Sequence, residues 1–131
     1  MTMARILIIE DNPDFVAFVS AVLDLNGHAV THTSSLHDGI ALTQQAPYPD
    51  LVLLDLDLPD GNGLDFFKQV DTDVPVLALT ASTEADLARQ LQAQGVRYLI
   101  KPISARDLLS VVNSSLVKGD AHDATAHPHR G

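Results

Sequence analysis

Short apolar runs alternate along this chain with stretches in which apolar residues recur every three or four positions. Arg5-Ile6-Leu7-Ile8-Ile9, Leu51-Val52-Leu53-Leu54 and Val76-Leu77-Ala78-Leu79 are runs of the first kind, rich in side chains that suit a pleated, buried surface. The pattern predicts strands over residues 5–9, 29–33, 50–55, 75–80 and 97–100, numbered β1 to β5, and helices over 13–26, 37–46, 63–71, 84–94 and 104–118, numbered α1 to α5. Punctuation agrees with it. Asn12-Pro13 opens α1, where a missing N–H costs nothing, and Asn26-Gly27 closes it. Ser82-Thr83-Glu84 and Ser104 offer side-chain oxygens where α4 and α5 begin, and Gly95 ends α4.

Five β-α units with short connections imply an α/β fold, a parallel sheet covered on both faces. β1 and β3 are almost wholly apolar, as central strands are. β2 (Ala29-Val30-Thr31-His32-Thr33) is more polar and reads as an edge. The order 2-1-3-4-5 follows, a flavodoxin-like (βα)5 doubly wound sheet whose topological switch point lies between β1 and β3. No internal repeat is present. From Gly119 to Gly131 large apolar side chains are almost absent, so residues 4–118 are expected to form the domain and 119–131 a disordered tail or a truncated linker.

The totals narrow the function. A chain of 131 residues that is 46% apolar suits one well-packed core. With 17 acids against 8 Lys and Arg, the formal charge is −9, too negative for direct nucleic-acid binding by this domain. The absence of cysteine excludes disulfides, thiolate metal sites and Cys nucleophiles. No apolar stretch is long enough to cross a bilayer. The start, Met1-Thr2-Met3-Ala4-Arg5, enters β1 without a signal-peptide pattern. A cytoplasmic protein without a membrane partner is expected.

Candidate chemistry collects where the strands end. Asp55 closes β3 ahead of the turn-rich Leu56-Asp57-Leu58-Pro59-Asp60-Gly61-Asn62-Gly63, and Glu10-Asp11 closes β1. At the switch point these carboxylates converge. Two of them about 4 Å apart repel by roughly 4 kcal/mol at an effective dielectric near 20, so a cation or a proton has to offset them. A set of oxygen ligands without His or Cys favours a hard ion, Mg²⁺ before Mn²⁺ or Ca²⁺. With the charge of a phosphoryl donor neutralised in this way, the Asp55 carboxylate could attack phosphorus and form an acyl phosphate. β4 ends in the hydroxyl of Thr80 and β5 runs into the ammonium of Lys101, a donor set suited to an anionic phosphoryl group.

Ile6 to Asp11, Asp55-x3-Pro59-x3-Gly63, Thr80 and Lys101-Pro102 together resemble the receiver domain of two-component response regulators, over residues 4–118. The resemblance implies Asp55 as phosphoacceptor and Asp11 as a direct Mg²⁺ ligand. Glu10 would act mainly through water, and the Asp57 backbone carbonyl would be a further ligand. Thr80 would hydrogen-bond the phosphoryl group and Lys101 would pair with it, next to a cis Lys101-Pro102 peptide. Tyr98 would be the switch aromatic, turning inward as Thr80 moves, with α4-β5-α5 as the output surface. Implied partners are a histidine kinase or histidine phosphotransfer protein upstream and a target or output domain downstream. A homodimer through α4-β5-α5 is compatible with this. Such a domain is a phosphorylation switch with autocatalytic phosphotransfer and autodephosphorylation, not a metabolic enzyme. The chain either acts alone or continues through its tail into an effector.

Several residues also have plainer readings. Thr80 alone is a strand-end hydroxyl, Lys101 alone a surface ammonium, Tyr98 a core aromatic, and Gly61 and Gly63 turn and helix-entry glycines without a Walker pattern. His28, His32 and His37 have no ligand-like spacing and read as solvated, and His122, His127 and His129 belong to the tail. Two other functions compete. Asp55-Leu56-Asp57 mimics the Asp-x-Asp of haloacid-dehalogenase-like phosphohydrolases, although that nucleophile follows the first strand and a cap domain has no room here. A receiver-like binding module that takes no phosphate is the other. Relative to the resemblance, Glu10 stands where many relatives have Asp, and the Asp57 side chain adds a negative charge beside the acceptor. Asp57→Asn is therefore expected to change the lifetime of the phosphoryl group, read as the decay of radiolabelled protein; an unchanged lifetime would remove that role.

Overall fold

Every residue of β3 (Leu51–Asp55) is buried, which a strand reaches only with neighbours on both edges and helices on both faces. It is the middle of a five-stranded parallel sheet in a computed structural model of the chain, of which residues 3–70 and 73–125 are described, with side chains as far as residue 116. The other strands are β1 (Arg5–Ile9), β2 (Ala29–Thr33), β4 (Val76–Thr80) and β5 (Arg97–Ile100), and the order is β2-β1-β3-β4-β5. The flavodoxin-like arrangement expected from the sequence is the one observed, each strand lying within one residue of its expected span. β2 is half exposed along its length, as its polar residues require of an edge.

Because side chains alternate along a strand, the sheet carries one core on each face. Ile6, Ile8, Leu51, Leu53, Leu77 and Leu79 pack with Val19 and Leu23 of α1 (Pro13–Leu25) and with Leu108 and Val112 of α5 (Ala105–Thr125). On the opposite face Leu7, Ile9, Val52, Leu54 and Ala78 pack with Leu36 of α2 (Leu36–Thr43), Phe66 of α3 (Phe66–Gln69) and Leu91 of α4 (Ala85–Ala93). Each fully buried Leu or Ile adds about 1.5–3 kcal/mol relative to exposure. The same alternation divides the site residues. Asp55 and, one step past β1 and β5, Glu10 and Lys101 fall on the α1/α5 side, whereas Thr80 and Tyr98 fall on the α4 side.

The helix boundaries show where local signals meet long-range ones. Asn12 caps α1, its Oδ1 accepting from the N–H groups of Asp14 (2.9 Å) and Phe15 (3.1 Å). Ser104 caps α5 through Asp107 N–H at 3.0 Å. α4 starts differently from expectation: Glu84 makes no side-chain cap bond, and Ser82 Oγ accepts from Glu84 N–H at 3.1 Å in the turn before the helix. α2 stops at Thr43, ahead of a cis Ala46-Pro47 peptide that the sequence did not announce. The expected third helix is shorter, a 3-10 turn at Gly63–Asp65 leading into the single turn Phe66–Gln69. α5 runs to Thr125, past the expected end at 118, because apart from Gly119 nothing before Pro128 opposes helix. The stretch expected as a tail from Gly119 is thus helical that far; residues 126–131, with His127 and His129, and the His122 side chain lie outside the described residues.

One histidine departs from the expected solvated state. His28 is buried, its Nδ1 accepting from Ala4 N–H at 3.2 Å. That N–H precedes the first ladder pair of β1, and the ring supplies the acceptor that β2 does not. Nδ1 as acceptor leaves the proton on Nε2, which meets no hydrogen-bond partner among the described residues. His32 is exposed yet tethered, with Nε2 2.9 Å from the Glu10 carbonyl oxygen.

Two glycines are needed for different reasons. Gly27, after α1, has φ +84° and open space where a Cβ would stand, so Ala there meets backbone strain alone. At Gly63 a Cβ would stand 2.6 Å from Leu56 Cα and 3.1 Å from the Asp55 carbonyl oxygen, backbone atoms of the very strand end that carries the acidic site. Gly63→Ala is expected to cost about 1–3 kcal/mol through this overpacking, against about 1 kcal/mol for Gly27→Ala. Urea unfolding midpoints check the order.

Candidate functional site

Parallel strands in register deliver their last residues to one edge. Ile9 pairs with Leu54, so Glu10 stands beside Asp55; Asp55 pairs with Leu79, so Thr80 lies one step on; Thr80 pairs with Ile100, and Lys101 follows. Glu10, Asp11 and Asp55 each offer a carboxylate oxygen, all within 4.8 Å of one another. A donor set made only of carboxylate oxygens at this spacing fits a hard divalent cation.

Two of the three carboxylates are out of water. Glu10 is 1% exposed and Asp55 3%. Glu10 uses both oxygens: Oε1 accepts from Lys101 Nζ at 2.7 Å and Oε2 from Asn12 N–H at 3.1 Å. Asp55 Oδ1 accepts from Asp57 N–H at 3.0 Å and lies 3.9 Å from Lys101 Nζ. One ammonium therefore serves two buried carboxylates. Burial, reinforced by the charge of Glu10 and a hydrogen bond shared with it, raises the Asp55 carboxyl from 3.8 to about 7, against the opposing pull of the Asp57 N–H and Lys101.

Thr80 is buried, and its Oγ1 accepts from Ser82 N–H at 3.0 Å, which leaves the O–H free to donate. Together with Tyr98, Leu87, Leu91 and Ile100 it lines a cavity of about 30 Å³ under α4. The Lys101-Pro102 peptide is cis, as expected. Asp57 is set apart from the acidic group. Its carboxylate accepts from Ala81 N–H at 3.5 Å, a weak tie between the loops after β3 and β4. A hydrolase using Asp57 as acid/base gains nothing from that placement, and Asp55 ends the third strand, not the first.

Two contributors escaped the sequence reading. The Asp60 carboxylate accepts from Leu36 N–H (2.9 Å) and His37 N–H (3.2 Å), so the loop after Asp55 caps α2. These bonds, the Leu36 one foremost, hold its carboxyl below the usual range. The Phe15 ring lies 4.4 Å from Lys101 Nζ. Its spacing with Val19 and Val22 places it on the inner side of α1, a signal visible in the sequence; the Asp60 contact has no local signal.

A doubly wound parallel sheet gathers three carboxylates, a hydroxyl and an ammonium at one edge. The chain belongs to the response regulator receiver domain family, whose model matches residues 6–113, and so is a receiver of two-component signalling. It is 35% identical over 120 residues to protein PilH of Pseudomonas aeruginosa, covering 87% of this chain and 98% of PilH. It is 34% identical over 116 residues to the phosphate regulon transcriptional regulatory protein PhoB of Escherichia coli, covering 84% of this chain and 50% of PhoB. It thus spans nearly all of the first relative and about half of the second. Among solved structures, the chemotaxis response regulator CheY4 of Vibrio cholerae aligns with a TM-score of 0.78 at 27% identity, over 88% of this chain and 100% of that one. No helix among the described residues is long and apolar enough to cross a membrane.

The raised carboxyl of Asp55 has a consequence for stability with a definite sign. A group whose value rises on folding stabilises the fold fully below about 4 and loses that contribution as pH climbs through about 7. Asp55→Asn, measured with a chelator present, is expected to leave stability near wild type at pH 4. At pH 8 it should raise stability by about 1–3 kcal/mol. Denaturant titrations at the two pH values check this, and a pH-independent difference would contradict it.

Proposed function

We propose that Asp55 accepts a phosphoryl group from a histidine kinase or a histidine phosphotransfer protein, and that this switches the α4-β5-α5 surface for a partner. The observation that carries the reading is Asp55 itself, a buried carboxylate at the switch point with Glu10 and Asp11 beside it and Lys101 within 3.9 Å. Glu10, Asp11, Asp55 and the backbone carbonyl of Asp57 would hold Mg²⁺, which when bound supplies positive charge against the carboxylates and the donor's oxygens. The working unit is residues 4–118 in the cytoplasm, with residues 119–131 serving as tail or linker.

In the transfer an Asp55 Oδ forms the new bond to phosphorus, and the bond to the donor's imidazole nitrogen breaks with its electron pair leaving on that nitrogen. Lys101 exchanges part of its pairing with Glu10 for the added phosphoryl oxygens. Thr80 donates its free O–H to them. Since Thr80 and Tyr98 share the cavity under α4, a shift of the hydroxyl toward the edge vacates space into which the Tyr98 ring turns. Autodephosphorylation resets the domain. The partner is a target protein or an output domain; PhoB, a transcriptional regulatory protein by name, makes the second choice a natural one. Homodimerisation through α4-β5-α5 is one use of the switched face.

Intact mass after incubation with a small phosphodonor tests the reading. One added phosphoryl group is expected on wild type with Mg²⁺, and none with a chelator or in Asp55→Asn. Slow loss of the label marks a signalling output, and loss within seconds a phosphate sink. No label on wild type would replace the proposal with a phosphate-independent binding module.

A further inference from the structure

Lys101 is held on three sides, and only one of them makes a hydrogen bond with it. Its Nζ is 2.7 Å from Glu10 Oε1, 3.9 Å from Asp55 Oδ1 and 4.4 Å from the centroid of the Phe15 ring. We infer that Phe15 is a positioning residue for the transfer to Asp55, keeping the Lys101 ammonium at the acidic edge by cation–π attraction. The inference rests on the proposed function and adds to it a residue of α1 outside the acidic set.

The ring is itself well placed. Phe15 N–H is bonded to the Asn12 cap at 3.1 Å, so the first turn of α1 is tied to the loop that carries Glu10 and Asp11. The ring packs against Phe18, with centroids 6.2 Å apart, and against the apolar core of the α1/α5 face. Lys101 is 22% exposed at its side chain, so water competes only in part for the ammonium, a setting in which the attraction to a ring face exceeds its surface value.

The choice of group matters chemically. An ammonium has three N–H donors, and Glu10 takes one. A carboxylate in place of the ring would consume another donor and add a negative charge beside two buried acids. An aliphatic side chain would pack on the lysine stem and leave the charge to water. The π face attracts the charge, uses no donor and tolerates small displacements of Nζ. Lys101 can then trade Glu10 for phosphoryl oxygens without leaving the edge.

Two readouts on the full chain test this. The contact itself is read by NMR: the Lys101 CεH2 protons are expected upfield of those of exposed Lys68 through the ring current, and to lose that shift in Phe15→Leu. The function is read as the rate of Asp55 phosphorylation by a small phosphodonor at saturating Mg²⁺. Phe15→Leu is expected to be slower by about three- to tenfold and Phe15→Trp to recover the rate. Phenylalanine carrying one, two and three ring fluorines at position 15, which drains the face while keeping the shape, is expected to lower the logarithm of the rate stepwise. A flat fluorine series, a Leu variant at the wild-type rate, or an absent Lys101 shift overturns the inference while phosphorylation of wild type stands. A wild type that takes no phosphoryl group overturns the proposed function and this role with it.

Discussion

Two carboxylates buried side by side with one ammonium between them set the terms for the rest of the molecule. Glu10 and Asp55 are almost fully withdrawn from water at the ends of β1 and β3, and Lys101 bonds the first and only approaches the second. Burying like charges costs free energy that a single counter-charge does not offset, and the Asp55 carboxyl, raised to about 7, registers the shortfall. The surroundings are organised around that deficit. Asn12 and Asp57 each turn a backbone N–H onto a carboxylate, and Asp11 stands exposed at the rim, ready to share a cation. A site under this strain gains by binding positive charge.

The sheet adds a second constraint by dividing the site residues between its two faces. Alternation sends Glu10, Asp55 and Lys101 to the side covered by α1 and α5, and Thr80 and Tyr98 to the side covered by α4. Between them lies a sheet packed on both faces by apolar side chains. Only at the edge, where the strands have run out, can a group attached to Asp55 meet the Thr80 hydroxyl. In the proposed switch the message therefore passes around the end of the sheet and not through it.

The loops at this edge are short of internal structure and borrow it from elsewhere. Asp60 fastens the segment after Asp55 to the start of α2, Asp57 reaches Ala81, and Gly63 lets the chain fold back against Leu56 with no room for a side chain. The Asp60 and Asp57 ties join segments 24 residues apart in sequence, one at the start of α2 and one in the β4–α4 turn, whereas Gly63 packs within its own loop.

What the sequence determined by itself was everything governed by neighbours along the chain. Alternating runs located the strands to within a residue, Asn12 and Ser104 declared the starts of α1 and α5, and the polarity of β2 placed it at the edge. The strand order then put Glu10, Asp55, Thr80 and Lys101 on one rim. The tertiary structure alone decided which of these groups touch. Lys101 bonds Glu10 across 91 positions of chain, Phe15 covers its charge, Asp60 caps a helix that begins 24 residues earlier, and His28 leaves solvent to serve an N–H of the β1 entry. Contacts between remote segments leave no periodicity to read, because they depend on where packing brings the segments and on which buried polar atom still lacks a partner.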